Sequence, residues 1–257
     1  MTPASQNGEI CLNHVSFQYE AGVKALDDVS LTIRPGTVTA LVGESGGGKS
    51  TVANLIARFW DVSEGSVTVG GVEVRELDYA DWMKHISIVF QDTNLFKMSV
   101  AENVAMYKPG ASREEIMEAL RQARCEDILE KLPNGVDSVI GARGVYLSGG
   151  EMQRIALARA ILKDAPIVLL DEATAFADAE NEYLIQKALD ILLHGKTVLM
   201  IAHRLQTIVH ADQIIVMQRG GIAEQGTHEE LMQRQGVYAK MYHEYENSVS
   251  WKIGGWA

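Results

Sequence analysis

Cysteine is nearly absent from this 257-residue chain: Cys11 and Cys125 lie far apart, without a CxxC pair or a Cys/His cluster. That excludes a disulfide framework and a cysteine-based zinc site, and it fits a reducing, cytoplasmic setting. No apolar run approaches the roughly 18 residues a membrane helix needs, and the polar start MTPASQNGEI has neither the basic nor the apolar region of a signal peptide. As a sequence, the chain is expected to be soluble. Basic residues are the scarcer charge, 23 Lys and Arg against 34 Asp and Glu, for a formal net charge of -11. Affinity for a phosphate backbone comes mainly from clustered Lys and Arg, so this balance argues against a nucleic-acid partner. There is no internal repeat and no low-complexity linker. What is present, 47% hydrophobic and 22% charged residues, is the make-up of an ordinary globular protein able to bury a core.

Residues 9–42 read as strands, ICLNHVSFQY by alternation and SLTI and TVTALVG by β-branching, with RPG at 34–36 as a turn. SVTVGGVEV reads as a hairpin around Gly70–Gly71. From residue 51 the period changes: Val52, Leu55, Ile56 and Phe59 follow i, i+3, i+4, i+7 and predict a helix. Residues 112–132 are helical by Ala, Leu and Glu content, with a Ser112/Glu115 capping box. The region from about 92 to 163 is therefore read as a mainly helical insert. HISIVF, PIVLLDE and TVLMIAH have the composition of strands buried on both faces, and a helix around 178–193 makes part of the sheet parallel. A hairpin, IIVMQRGGIAEQ, precedes a final helix from about 228. The tail VSWKIGGWA is expected to be loosely ordered.

Two glycine-rich stretches carry the chemistry. GESGGGKST at 43–51 fits G-x-x-x-x-G-K-[ST] between an apolar strand and an amphipathic helix. Gly43, Ser45, Gly46, Gly47, Gly48 and Thr51 belong to a loop that wraps phosphates with backbone N–H groups; Lys49 would reach the β- and γ-phosphates, and the Ser50 hydroxyl would ligate Mg²⁺. LSGGEMQRIALAR at 147–159 opens a second helix with a serine and two glycines, again an anion site by its free N–H groups and dipole. IVLLDE at 167–172 ends a strand in two carboxylates whose side chains point apart: Asp171 would hold Mg²⁺ through water and Glu172 would act on the attacking water as general base. His203 and Gln91 end two other apolar strands, where a histidine could bond the γ-phosphate and an amide could touch metal and water. His210, His228 and His243 read as surface or packing residues.

These motifs together resemble the nucleotide-binding domain of an ATP-binding cassette (ABC) transporter. GESGGGKS is similar to its Walker A loop, Gln91 to its Q-loop, LSGGE at 147–151 to its signature, IVLLD with Glu172 to its Walker B strand and base, Asp178 to its D-loop and His203 to its switch histidine; the order and spacing match from about residue 9 to 245. The resemblance implies an α/β P-loop NTPase fold, an ABC-type ATPase core with a mixed sheet, an antiparallel β subdomain and a helical signature subdomain. Residues 1–8 would be a linker, 9–245 the domain and 246–257 a tail. It also implies head-to-tail dimerisation, with each ATP between the Walker A loop of one copy and Ser148, Gly149 and Gly150 of the other, and Mg²⁺ held by Ser50, Gln91 and Asp171. Tyr19 matches the aromatic that stacks on adenine, with Phe17 on the same strand face as the competing candidate. Asp178 also suits the N-cap of the helix that follows it.

SVAENVA at 99–105 and IGARG at 140–144 resemble exporter-type half-transporters, in which a membrane domain precedes this domain and places it on the cytoplasmic face of a membrane, as in a bacterial inner membrane. Three departures stand out: Ala142 where an acid is usual, Glu151 where glutamine is common, and the segment ATAFAD, which resembles siderophore-handling members. The rivals are a soluble ABC ATPase acting on nucleic acid or ribosomes, which would have two cassettes or a coiled-coil insertion, and a non-hydrolysing ATP-binding regulatory module, which would lack the base or the histidine.

Overall fold

A computed structural model describes residues 8–20, 22–90, 94–141, 145–171, 179–202 and 204–254. In chain order it begins with strands β1 (Ile10–Gln18), β2 (Lys24–Ile33) and β3 (Val38–Gly43), helix α1 (Lys49–Ile56), strands β4 (Glu64–Val69) and β5 (Val72–Glu73), and helix α2 (Tyr79–Lys84). There follow β6 (Ile86–Val89), β7 (Met98–Ser99), α3 (Val100–Ala105), α4 (Arg113–Gln122), α5 (Glu126–Lys131), β8 (Val139–Ile140), α6 (Gly149–Lys163), β9 (Ile167–Asp171) and α7 (Ala179–Leu193). The chain continues through β10 (Thr197–Ile201), β11 (Gln213–Gln218) and β12 (Gly221–Gly226) to α8 (His228–Arg234) and α9 (Val237–Gly254). Two units result, Met1–Trp82 with Thr197–Ala257, and Met83–Lys196.

The first unit holds an antiparallel sheet in the order β2-β1-β4-β5 and strands in the order β12-β11-β3-β10, with β3 parallel to both β10 and β11 and β12 antiparallel to β11. Thr39–Val42 of β3 and Ile214–Met217 of β11 are buried without alternation, as in strands covered on both faces. The β4–β5 hairpin turns at Gly70 and Gly71, both with positive φ (57 and 81), which only a primed turn requires.

Two sequence expectations fail here for local reasons. Helix α1 buries Val52, Leu55 and Ile56 but stops before Phe59, which is 40% exposed. Arg58 turns left-handed (φ 57) and donates to the Leu77 carbonyl at 2.6 Å, while the buried Trp82 indole N–H takes the Ile56 carbonyl at 3.0 Å. The single helix expected from 228 is two, because Gln235 turns left-handed (φ 52) and the Glu224 carboxylate accepts the backbone N–H groups of Val237 and Tyr238, each at 2.9 Å, capping a new helix start. That second helix runs to Gly254, through the first six residues of the tail the sequence suggested would be loose; residues 255–257 lie outside the described residues.

In the second unit β6 and β9 are parallel, and β7 pairs antiparallel with β8. Four residues of β9, Ile167–Leu170, are buried. The helix expected over 112–132 breaks at Arg124 (φ 57) into α4 and α5, a turn that buries Ala123, Cys125 and Ile128 together. The Ser112/Glu115 capping box is present as expected.

Candidate functional site

In the first unit the strand, glycine loop and helix order is that of a phosphate site. Strand β3 ends at Gly43 (φ 135), where a Cβ would stand 2.0 Å from the Met217 carbonyl oxygen of β11. Gly48 (φ 100) is the N-cap of α1, and a Cβ there would lie 2.6 Å from Leu26 Cδ2 and 2.8 Å from the Ala25 carbonyl oxygen. Neither position can carry a side chain, by backbone angle or by space. The Gly47 N–H donates to the Glu44 carbonyl at 3.1 Å, closing the loop on itself. Helix α1 has no side-chain cap and no acid in its first turn, so its leading N–H groups and dipole are left to an incoming anion. Lys49 is 5% exposed, and its ammonium donates to the Gly43 and Glu44 carbonyls at 2.8 Å each, which bends the charge back over the loop.

The two aromatic candidates separate. Phe17 is 4% exposed, whereas Tyr19 lies beyond the end of β1 and is 44% exposed. Both rings face Trp60, at 6.2 and 5.5 Å between centroids, and what differs is exposure, since Tyr19 stands past the last residue of the strand. Tyr19 packs edge-on against Phe17 (centroids 4.8 Å apart) and Trp60 (5.5 Å). Its hydroxyl donates to Thr51 Oγ1 at 3.2 Å and accepts from Asn54 Nδ2 at 3.3 Å, so the ring is fixed to α1. Sequence reasoning missed Asn54 and Trp60; the only signal was their nearness to the glycine loop.

The second unit builds the other helix start. Ser148 caps α6: its hydroxyl accepts from the Glu151 N–H at 3.3 Å, and the Glu151 carboxylate accepts from the Ser148 N–H at 2.8 Å. Gly149 is exposed, but Gly150 is buried, and a Cβ on it would meet Asn181 Cβ and Cγ at 2.7 Å. The second glycine therefore allows α6 to pack closely against α7. Behind the helix start, Lys131 donates to Glu151 at 3.1 Å, and Asp127 takes both terminal nitrogens of Arg154 at 2.6 and 2.9 Å. The Arg154 side chain is 1% exposed. Burial alone would raise the Glu151 pKa, but the Ser148 N–H and the Lys131 ammonium outweigh it and hold the carboxyl below its ordinary value. Burial works against Arg154 too, and the Asp127 carboxylate overcomes it. None of Lys131, Asp127 or Arg154 was singled out in the sequence, since charges near a helix end are common and the pairing spans 27 residues.

Asp171 is the last residue of β9 and is partly buried. Gln91, Ala142, Glu172, Asp178 and His203 lie outside the described residues. Among the described residues no three or more His, Cys, Asp and Glu side chains gather as a metal cage, and no helix is long and apolar enough to cross a membrane.

A glycine loop closed by a buried lysine between a parallel strand and an uncapped helix defines a P-loop nucleotide-binding protein. The comparisons narrow that class. A family model described as ABC transporter matches residues 26–175. The chain is 52% identical over 235 residues to the mycobactin import ATP-binding/permease protein IrtA of Mycolicibacterium thermoresistibile, an alignment spanning 91% of this chain and 26% of that protein. It is 48% identical over 235 residues to the ATP-dependent lipid A-core flippase of Legionella pneumophila (strain Lens), with 91% and 40% covered. Among solved structures, a bacterial Atm1-family ABC exporter with ATP bound superposes with a TM-score of 0.87 at 38% identity, covering 93% of this chain and 42% of that one. The chain belongs to the ABC transporter family and is an ATP-binding, ATP-hydrolysing domain of it, of the kind found in exporter-type members. It spans between about a quarter and two fifths of the length of these curated relatives.

Proposed function

We propose that this chain is the motor of an exporter-type half-transporter, and that it works as one of two such domains joined head to tail. Each ATP would lie between the Gly43–Thr51 loop of one copy and the Ser148–Gly150 helix start of the other. The observation that supports this most directly is that one chain builds two separate helix starts with glycine-opened backbones, and among the described residues a phosphate loop precedes α1 and none precedes α6. The nucleotide of the second would therefore come from a partner.

In this reading Tyr19 stacks on the adenine, the loop N–H groups hold the phosphates, and Lys49 offsets charge on the β- and γ-oxygens. Ser50 is exposed at the start of α1 and Asp171 closes β9; both offer hard oxygen donors, which fits Mg²⁺, with Gln91 as the third candidate ligand. Bound there, the ion would polarise the phosphoryl oxygens. Glu172 would take the proton of the attacking water, His203 would bond the γ-phosphate, and Asp178 would reach across the dimer. A transmembrane domain would convert closure and reopening into movement of a solute, with this domain on the cytoplasmic face, as at a bacterial inner membrane. The likeness of residues 173–178 to siderophore-handling members, and of the chain to a protein of mycobactin import, supports a siderophore as the solute.

The test is the solution molar mass of the Glu172→Gln variant by light scattering, with and without ATP. Doubling on ATP addition is expected, because a dimer blocked in hydrolysis persists. A monomer that binds ATP, shown independently, would refute self-association of this chain.

A further inference from the structure

We propose that Lys131 sets how well the α6 helix start receives a nucleotide, by offsetting the charge that Glu151 brings to it. This rests on reading Ser148–Gly150 as the site for a partner copy's phosphate. The two helix starts of the chain differ in charge. Helix α1 has no acid in its first turn, whereas α6 carries Glu151 at its third position. One Glu151 oxygen accepts from the Ser148 N–H at 2.8 Å, so an ionised carboxylate stands at the positive end of the helix dipole, where it stabilises the free helix and repels an arriving anion.

The second Glu151 oxygen is 3.1 Å from Lys131 Nζ, and the same ammonium lies 3.7 Å from Asp127 Oδ2. Asp127 is itself neutralised by the buried Arg154. The two acids and two bases therefore sum to zero behind the helix start, and removing Lys131 leaves one negative charge in excess. A glutamine at position 151 would make the same bond to the Ser148 N–H without a charge, since Glu and Gln both complete a capping box. The need for Lys131 therefore disappears with the Glu151 carboxylate. Lys131 acts through Glu151 and is a positioning residue. Its side chain is 66% exposed, so its removal leaves the packing intact.

The test is the ATPase activity of the chain as a function of protein concentration, in the wild type and in Lys131→Gln, Glu151→Gln, the double variant and Gly149→Asp. Lys131→Gln is expected to need about five- to tenfold more protein for half-maximal specific activity at low salt, an effect that shrinks at about 0.5 M salt. Glu151→Gln should need no more protein than the wild type, and the double variant should fall within about twofold of Glu151→Gln. Binding of a fluorescent ATP analogue to dilute protein should be the same in all four, because the loop around Lys49 is untouched. A Lys131→Gln variant that matches the wild type, or a double variant as impaired as the single one, overturns the proposal. Gly149→Asp separates the two levels: it places an acid at an exposed first-turn position that a helix tolerates and an anion does not. If it leaves concentration-dependent activity intact, or if the wild type shows no such dependence, the composite site itself fails. If it abolishes activity while Lys131→Gln is normal, only the charge offset fails.

Discussion

Replacing Gly150 by alanine separates its packing role from its proposed phosphate role, and the sign of the effect carries the answer. In a helix, glycine to alanine ordinarily stabilises by up to about 1 kcal/mol. Gly150 is not among the positive-φ glycines, so its backbone raises no objection. Its surroundings do: the new methyl would stand 2.7 Å from Asn181 Cβ and Cγ and 3.0 Å from Oδ1. Carbon atoms prefer a separation of about 3.5–4.0 Å, and overpacking of this kind costs about 1–3 kcal/mol. Two carbons so close place the clash in the upper part of that range, leaving a net loss of about 1–2 kcal/mol. For a chain of this size that lowers Tm by about 3–6 °C. The assay is urea and thermal unfolding of the wild type, Gly150→Ala, Asn181→Gly and the double variant. The cycle should show a coupling of about 1 kcal/mol or more in favour of the double variant, because Asn181→Gly removes the Cβ that is struck. If Gly150→Ala is neutral or stabilising, or if Asn181→Gly brings no relief, the second glycine is not held by α7 and its role reduces to backbone access.

The aromatic pair makes a second test. Tyr19→Ala should weaken ATP-analogue binding about tenfold or more, Tyr19→Phe within about threefold, and Phe17→Leu should lower the unfolding midpoint without changing affinity; an equal loss of affinity at Phe17 would reverse the assignment. A third concerns pH. The Arg154 guanidinium holds the Asp127 carboxyl below its ordinary value of 3.8, so its contribution to stability is present above that pH and is lost as pH falls through the lower folded value. Asp127→Asn should therefore cost about 2 kcal/mol at pH 7, discounted because Asp127 is 43% exposed, and the gap to wild type should close below about pH 4; a gap that stays constant to pH 3 would show that the charge is not what matters.

Local signals were legible wherever the chain alone fixes the geometry. The glycine loop, the β4–β5 hairpin at Gly70–Gly71 and the Ser112/Glu115 cap each depend on residues a few positions apart, and each stands where the sequence put it. What was not legible depends on partners far along the chain. Helix α1 ends before Phe59 because Trp82 takes the Ile56 carbonyl, and α9 starts afresh because Glu224, 13 residues earlier, caps it. Phe17 and Tyr19 looked equivalent by alternation, and only the end of β1 at Gln18, which leaves Tyr19 exposed while Phe17 is buried, sets them apart. The charge group behind α6 is the same case: Asp127, Lys131, Glu151 and Arg154 read as ordinary surface charges until the turn at Arg124, whose carbonyl accepts from Arg154, brings α5 beside the helix start.

The way the two helix starts are finished bears on the order of events in the proposed dimer. Helix α1 begins at a left-handed glycine without a side-chain cap, so its N–H groups gain most from a bound phosphate. Helices α3, α4, α6 and α8 all begin with a Ser or Thr cap and a glutamate that returns the bond. The α6 start is therefore satisfied by the chain itself and has little to gain from an anion that would not also bring a partner. A phosphate arriving at α6 must use what the cap leaves over, the Gly149 and Gly150 N–H groups and the proton of the Ser148 hydroxyl, whose oxygen already accepts from Glu151. Binding to the loop around Lys49 should come first and tightly, and engagement of α6 second and weakly. In the proposed dimer, that asymmetry would let a nucleotide join two copies and let them part once its terminal phosphate is cut.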